Sequence, residues 1–341
     1  MKADPEAHRA RAAVLCGLGS FTPPRVVTNE ELSSILEISG EWIETRTGIR
    51  QRHVVEPGTA TSDLAEEAGR RALKSAGTET VGAVVLATTT PDRPCPATAP
   101  EVASRLGLHN VPAFDVGAVC SGFIYALAIG AGIIAIGIAD HVLIVGADTF
   151  STMVNPRDRS NRAIFGDGAG AVVLRAGNAD EMGALGAFTL GSDGAGVDLI
   201  TVPAGGSLRP QRDVQEADGG RYFIMQGQSV YRQAVSQMVM SSRHCLELAG
   251  RTIHQVDWLV CHQANRRILT AVADRLGMPV ERCVCNIDVV GNTAAASIPL
   301  ALAAGVTTGK LHAGDNVLLT AFGGGLTWGS TLLCWPDLTV V

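Results

Sequence analysis

The sequence predicts an α/β protein built from two similar halves. Three observations carry this. Short apolar runs alternate with amphipathic stretches along nearly all of the 341 residues, the pattern of a largely parallel or mixed sheet with helices packed on it. An apolar run, a Gly-rich turn and a second apolar run occur twice, over His141 to Leu174 and over Asn316 to Cys334. That echo divides the chain near residue 180 into halves 1–180 and 181–341. Finally, 46% hydrophobic and 18% charged residues with 39 glycines describe a chain that buries a large core through close packing of small residues.

The elements follow in order. Met1 to Arg11 is polar and is expected to fray, and Ala12 to Leu18 reads as a strand running into the turn Thr22-Pro23-Pro24. Asn29 begins a helix with itself as cap, Ser39 opens a second, and Thr61 opens a third that runs to Ala76. Val81 to Thr88 is a buried strand, followed by a proline-rich loop from Pro91 to Pro96, a helix from Ala99 to Leu106 and the strand Ala113 to Val116. A long helix follows Cys120, then the strand His141 to Ala147. Asn178 to Met182 is the natural junction, and Gly191 to Gly220 reads as a long loop over a cleft.

Several function classes drop out. No residue between Asp115 and Asp140 is charged, yet the run is glycine-rich, lacks Lys/Arg flanks and is followed at once by a second apolar run, so it is expected to be a buried helix rather than a membrane span. A net charge of −6 argues against nucleic-acid binding. From Arg221 to Arg282, eight Arg stand against four Asp/Glu, a local excess of +4 that suits either a salt-bridged surface or an acidic partner. Eight scattered Cys, and no leader pattern at the start, point to a reducing cytoplasm without structural disulfides. Cys283 and Cys285, with Cys261 and His262 upstream, lack zinc-site spacing and are expected to be buried thiols, so no metal is expected. FGDGAGAVVL from Phe165 places its glycines before a strand rather than between strand and helix, so it is not a dinucleotide fingerprint.

Four segments carry chemistry. FDVGAVCSGF from Phe114 puts Cys120 at a strand-to-helix turn, where free amides and the helix dipole are expected to lower a thiol pKa; a structural Cys fits the same turn. WLVCHQANRRIL from Trp258 ends an apolar strand in His262, facing a cleft or satisfied in the core. NIDVVGNTAAASIPLAL from Asn286 sets Asn292 before an Ala-rich helix, either as a simple cap or as a donor aimed into a cleft. AFGGGLTWGS from Ala321 lets the backbone approach a ligand closely and supply an oxyanion-hole amide, without the Gly-Lys-Ser/Thr of a phosphate loop.

Together with EWIETRTGIRQRH from Glu41 to His53, these segments in this order resemble β-ketoacyl-acyl-carrier-protein synthase III of the thiolase superfamily, over about residues 12–335. The resemblance implies a thiolase-like fold, two pseudo-repeated halves in a five-layer αβαβα sandwich. It implies Cys120, His262 and Asn292 as catalytic residues, with the amides of Cys120 and Gly324 as oxyanion hole. An acyl-CoA starter would load Cys120, and decarboxylative condensation with malonyl-acyl carrier protein would give a 3-oxoacyl thioester, with no cofactor beyond the CoA thioesters. Trp42, Arg46, Arg159 and Asn265 correspond to CoA contacts, Arg267 and Arg232 to carrier-protein docking, and the protein is expected to be a homodimer.

The sequence departs from the family in places. Cys95 stands where acetate-primed members carry a Phe that reaches across the dimer to close the acyl pocket, so a bulkier starter is expected. Ser160, Ile38, Gln228 and Tyr231 replace other residues around the CoA channel. A rival within the superfamily transfers an acyl group to a hydroxyl, an amine or a carrier protein without condensing. A non-catalytic partner subunit would lack the Cys120, His262 and Asn292 that this chain retains.

Overall fold

The computed structural model describes residues 11–210, 212 and 220–341; the expected fraying of residues 1–10 lies outside them. In chain order the elements are β1 (Ala12–Phe21), β2 (Val26–Thr28), α1 (Asn29–Leu36), α2 (Gly40–Thr47), β3 (Gln51–His53), α3 (Thr61–Ala76), β4 (Ala83–Ala87), α4 (Ala99–Arg105), β5 (Ala113–Val116), α5 (Gly122–Ala135), β6 (His141–Asp148), α6 (Arg159–Arg162) and β7 (Gly168–Gly177). They continue with β8 (Leu185–Ser192), β9 (Ile200–Thr201), β10 (Ile224–Met225), α7 (Gly227–Leu248), β11 (Trp258–Cys261), α8 (Arg266–Leu276), α9 (Ile287–Val290), α10 (Ser297–Thr307), β12 (Asn316–Gly323) and β13 (Thr327–Cys334).

Two sheets dominate. The first has the order β1-β7-β6-β4-β5 and the second β11-β12-β13-β8. They pair in the same way. β6 and β12 each run antiparallel to the strand that follows them, β7 and β13. β4 and β11 lie parallel on the other side of β6 and β12, and β1 and β8 close the far edges antiparallel. The counterpart of β5 is reduced to one parallel bridge, Leu259 to Cys283.

Strand alternation sorts side chains into layers. Val84 and Leu86 of β4 face α3 with Leu143, Val145 and Val173, against Leu64, Ala68, Ala72 and Leu73. Val85 and Ala87 point the other way, into a central layer where Phe123, Ile124 and Leu127 of α5 and Ile298 and Leu302 of α10 also meet Val260, Val317 and Leu319 of the second sheet. The outer face of that sheet, with Leu259, Leu318 and Leu332, is covered by Val235, Met238 and Val239 of α7 and Val272 and Leu276 of α8. The result is the five-layer αβαβα sandwich. Its two middle helices are apolar on all sides because protein surrounds them, and among the described residues no helix is long and apolar enough to cross a membrane.

Local details differ from expectation where a neighbour supplies the cap. Thr28, not Asn29, caps α1, its hydroxyl accepting from the Glu31 amide at 3.3 Å. Asn29 is drawn inward, and its Nδ2 donates to the Ile49 carbonyl at 2.7 Å. The helix after Cys120 begins only at Gly122, preceded by a 3₁₀ turn over Val119–Ser121. The stretch expected as a long loop contains a 3₁₀ turn, Gly194–Leu199, and β9, which pairs antiparallel with β10.

Candidate active site

The nucleophile candidate sits on a strained turn. Val119 has φ of 46°, a left-handed conformation costly for a β-branched residue. The turn is held by hydroxyls: Ser121 Oγ lies 2.9 Å from the Ala118 carbonyl and 2.8 Å from Thr327 Oγ1, and Thr327 Oγ1 lies 3.2 Å from the same carbonyl. From across the central layer the end of β12 presses on it. A Cβ added to Gly323 would stand 2.8 Å from the Cys120 amide nitrogen and 2.9 Å from that of Ser121. Only glycine leaves the Cys120 N–H open to a ligand. Gly323 is therefore the glycine that faces Cys120, whereas the α-carbon of Gly324 backs onto Ile200. The loop beyond is pinned by reciprocal amide bonds between Asp193 and Leu326, at 2.9 and 2.8 Å.

Cys120, His262 and Asn292 come together. All three line one inner cavity with Val119, Phe165, Ile200, Phe223, Met225 and Gly323. Phe150, Phe165 and Phe223 form an aromatic cluster behind it, with Phe150 and Phe165 stacked at 4.2 Å and Phe223 edge-on to both. Of the stretch expected to cover a cleft, Gly191 to Gly220, Ile200 lines this cavity, and Phe223 and Met225 just beyond it do so as well.

His262 follows β11 and is buried. Its strand end is fixed by Gln263, whose side-chain amide donates to the Cys261 and Val284 carbonyls and accepts from the Asn286 amide, while its own N–H donates to Ser297 Oγ at 2.6 Å. Burial pushes the His262 pKa down from 6.5 to about 3, so the ring is neutral near pH 7. Its buried Nδ1 has no partner among the described residues.

Asn292 serves both roles open to it. Its Oδ1 accepts from the Ala294 amide at 3.0 Å. Because an amide N–H must meet an oxygen, this fixes the side-chain orientation and leaves Nδ2 for the cavity. Its backbone N–H is taken by the Ile164 carbonyl at 3.0 Å, so any donation to a ligand comes from the side chain.

The thiol departs from expectation. The Cys120 pKa is raised, first by burial and then by the nearby Asp148 carboxylate, with a backbone hydrogen bond only partly opposing them. The amides at the turn do not outweigh desolvation in a nearly closed cavity.

An outer cavity of about 610 Å³ leads inward, sharing Met225, Val230, Ala264, Ile268 and Asn292 with the inner one. Trp42, Arg46, Asn265, Arg232 and Arg267 line it, as do the departing residues Ser160, Gln228 and Tyr231. The Arg46 guanidinium lies 5.2 Å from the Trp42 ring centroid. Asn265 caps α8 by accepting from the Arg267 amide at 2.9 Å, and its Nδ2 donates to the Arg46 carbonyl at 3.3 Å. Arg159 does not line this cavity and instead pairs with Glu37 at 2.5 Å. Cys95 is exposed and lines neither cavity of its own chain. Among the described residues no His/Cys/Asp/Glu cluster could hold a metal ion.

Comparison with known proteins gives the context. The models for 3-oxoacyl-[acyl-carrier-protein] synthase III and its C-terminal region match residues 114–194 and 246–335. A β-ketoacyl-[acyl-carrier-protein] synthase III of Streptomyces coelicolor is 60% identical, over 97% of this chain and 99% of that protein. The crystal structure of 3-oxoacyl-(acyl carrier protein) synthase III from Pseudomonas aeruginosa superposes with a TM-score of 0.91 at 54% identity, covering 96% of this chain and all of that one. The priming β-ketosynthase of the R1128 polyketide pathway superposes with a TM-score of 0.90 at 35% identity, over 97% of this chain and 98% of that one. With its thiolase-like sandwich and near-complete coverage by these relatives, the chain belongs to the β-ketoacyl-[acyl-carrier-protein] synthase III family of condensing enzymes.

Proposed function

We propose that Cys120 takes an acyl group from an acyl-CoA and that the acyl-enzyme condenses with malonyl-acyl carrier protein, releasing CO2 and 3-oxoacyl-acyl carrier protein. The observation that carries this is the convergence of Cys120, a neutral His262 and an oriented Asn292 at the closed end of one funnel.

In the first half-reaction the Cys120 sulfur attacks the thioester carbonyl. The Cys120 N–H, opposite Gly323, and the Gly324 N–H hold the tetrahedral oxyanion. The attack forms the bond from Cys120 sulfur to the acyl carbon; collapse restores the carbonyl and breaks the carbonyl–sulfur bond to CoA, and the thiol proton leaves with CoA as its free thiol. In the second, the malonyl thioester oxygen accepts from a neutral His262 ring N–H and Asn292 Nδ2. Loss of CO2 leaves an enolate on those two donors, its carbon attacks the acyl-Cys carbonyl, and the Cys120 thiolate leaves and takes up one proton. Neutral donors suit this step, because a protonated general base nearby would deliver its proton to the carbanion.

Trp42, Arg46 and Asn265 contact CoA along the outer cavity, and Arg159, next to the cavity-lining Ser160, contacts it as well; Arg267 and Arg232, which also line the cavity, meet the acidic carrier protein. Halves 1–180 and 181–341 each supply part of the site. The protein acts in the cytoplasm as a homodimer, a reading supported by its free thiols and by the open edge of β5.

The test is sequential. Incubation with a panel of acyl-CoAs should add the acyl mass to Cys120 and none to Cys120→Ser, and malonyl-acyl carrier protein should then release one CO2 per acyl group consumed. Acyl transfer to a hydroxyl, an amine or a carrier protein without CO2 release would overturn the condensation in favour of simple acyl transfer.

A further inference from the structure

The two middle helices begin alike. α5 is entered through the 3₁₀ turn Val119–Ser121 and α10 through the 3₁₀ turn Ala294–Ala296. The first residue of each is a non-glycine in left-handed conformation, Val119 at φ 46° and Ala294 at φ 47°. Cys120 and Ala295 are thus corresponding second residues. The strand ends that reach these turns also correspond, since β6 and β12 are both eight residues long and end, paired with the next strand, at Asp148 and Gly323.

At this point the two turns diverge. Gly323 presents no side chain to the Cys120 amide, which stays open to the cavity. Asp148 presents a carboxylate to the corresponding amide, its Oδ2 accepting from Ala295 N–H at 2.9 Å. The other oxygen accepts from the Thr89 and Thr90 amides at 2.7 and 3.1 Å and from the Thr88 and Thr90 hydroxyls at 3.2 and 3.0 Å. Asp148 is fully buried, and burial raises its pKa to about 6 against the pull of these donors. The strained turn is gripped at two successive amides, Ala294 by Asn292 Oδ1 and Ala295 by Asp148 Oδ2. Loss of either acceptor leaves a buried amide unpaired and frees the turn that sets the aim of Asn292.

We propose that Asp148 is a positioning residue for the condensation step: its carboxylate occupies, against Ala295, the place that the reaction's oxyanion occupies against Cys120, and so locks the turn from which Asn292 presents its side-chain amide. The proposal rests on the reading of Asn292 as a donor to the malonyl thioester.

The test separates the half-reactions. Cys120 acylation by acyl-CoA is followed by mass, and decarboxylation of malonyl-acyl carrier protein by CO2 release, in wild type, Asp148→Asn, Asn292→Ala and the double variant. An asparagine at 148 keeps its oxygen on the Thr89 and Thr90 amides and turns an N–H toward Ala295. Asp148→Asn is expected to slow decarboxylation about tenfold or more, the cost of one buried unpaired donor, and to keep acylation within about threefold. Added to Asn292→Ala it should cost less than about a further twofold, because both act through the Asn292 side-chain amide as donor. Equal loss in both half-reactions, no loss in either, or full additivity in the double variant overturns the proposal. Decarboxylation left intact by Asn292→Ala alone removes the reading of Asn292, and the proposal with it; a defect in Asn292→Ala without a selective defect in Asp148→Asn removes only the proposal. Should Asp148→Asn fail to fold, Thr88→Val strips one donor from Oδ1 and leaves the Ala295 contact. It is expected to show a smaller loss confined to decarboxylation, and equal loss in both steps overturns the proposal.

Discussion

At the scale of single residues, the site is governed by burial more than by charge. Cys120 and His262 both move toward their neutral forms because the cavity excludes water. For His262 this carries a stability signature. Its folded pKa of about 3 lies below the ordinary 6.5, so its contribution is fully present above pH 6.5 and is lost as pH falls toward 3. Asp148 acts in the opposite sense: its pKa is raised from 3.8 to about 6, so its contribution is present below pH 3.8 and is lost as pH rises through 6. Acidification from pH 6 to 4 therefore relieves Asp148 while it protonates the imidazole of His262 in the unfolded chain only, and the larger shift, on His262, decides the sign. His262→Asn removes that titration. Denaturant unfolding at pH 7 and pH 4 should show the wild type losing about 3 kcal/mol more than the variant over this interval. Parallel losses in the two proteins would mean that His262 is not buried in neutral form.

At the scale of elements, the decisive contact is between the end of β12 and the turn before α5. Gly323→Ala would drive a methyl to 2.8 and 2.9 Å from two backbone nitrogens, which cannot yield as a flexible side chain would. It is expected to cut Cys120 acylation about a hundredfold or more, the scale on which removing an oxyanion-hole donor acts; acylation at wild-type rate would show the Cys120 amide to be unused. Much at this scale was legible in the chain. The helix Thr61–Ala76 was readable to the residue because Leu64, Ala68, Ala72 and Leu73 keep one face and Gly77 ends it in left-handed conformation. That Cys120, His262 and Asn292 belong together was legible through the family resemblance, whereas the strand-to-helix turns alone fit a structural Cys, a core His and a simple cap equally well. Within the run Gly323-Gly324-Gly325, by contrast, nothing local tells which glycine meets Cys120, since that depends on a turn some 200 residues away. Asp148 was invisible for the same reason: its partners are 58 to 60 residues back and 147 ahead. The thiol shift was misjudged because a turn reveals the free amides, whereas desolvation belongs to the closed cavity around it.

At the scale of the whole molecule, the open edge of the first sheet bears on the acyl cargo. β5 is an edge strand, and Phe114 on it is 36% exposed. Edges of this kind are completed by a partner strand or protected, and a second copy paired across a two-fold axis completes both at once. The loop carrying Cys95 is tied to this edge, because the Thr98 and Ala99 amides donate to the Asp115 carboxylate of β5 at 2.7 Å each. In a dimer joined at β5, the family resemblance implies that each Cys95 loop reaches toward the other copy's acyl pocket. A small side chain there leaves room for a long or branched starter, and a large one fills it. Cys95→Phe should lower kcat/KM for a branched acyl-CoA about tenfold or more while acetyl-CoA turnover is kept or improved, since each methylene excluded from a fitted apolar pocket is worth roughly 1–3 kcal/mol. Light scattering on the same samples ties the effect to assembly. A dimer with unchanged preference would show that Cys95 does not bound the pocket, whereas a monomer that still discriminates between starters would place the boundary within one chain, at Phe150, Phe165 and Phe223.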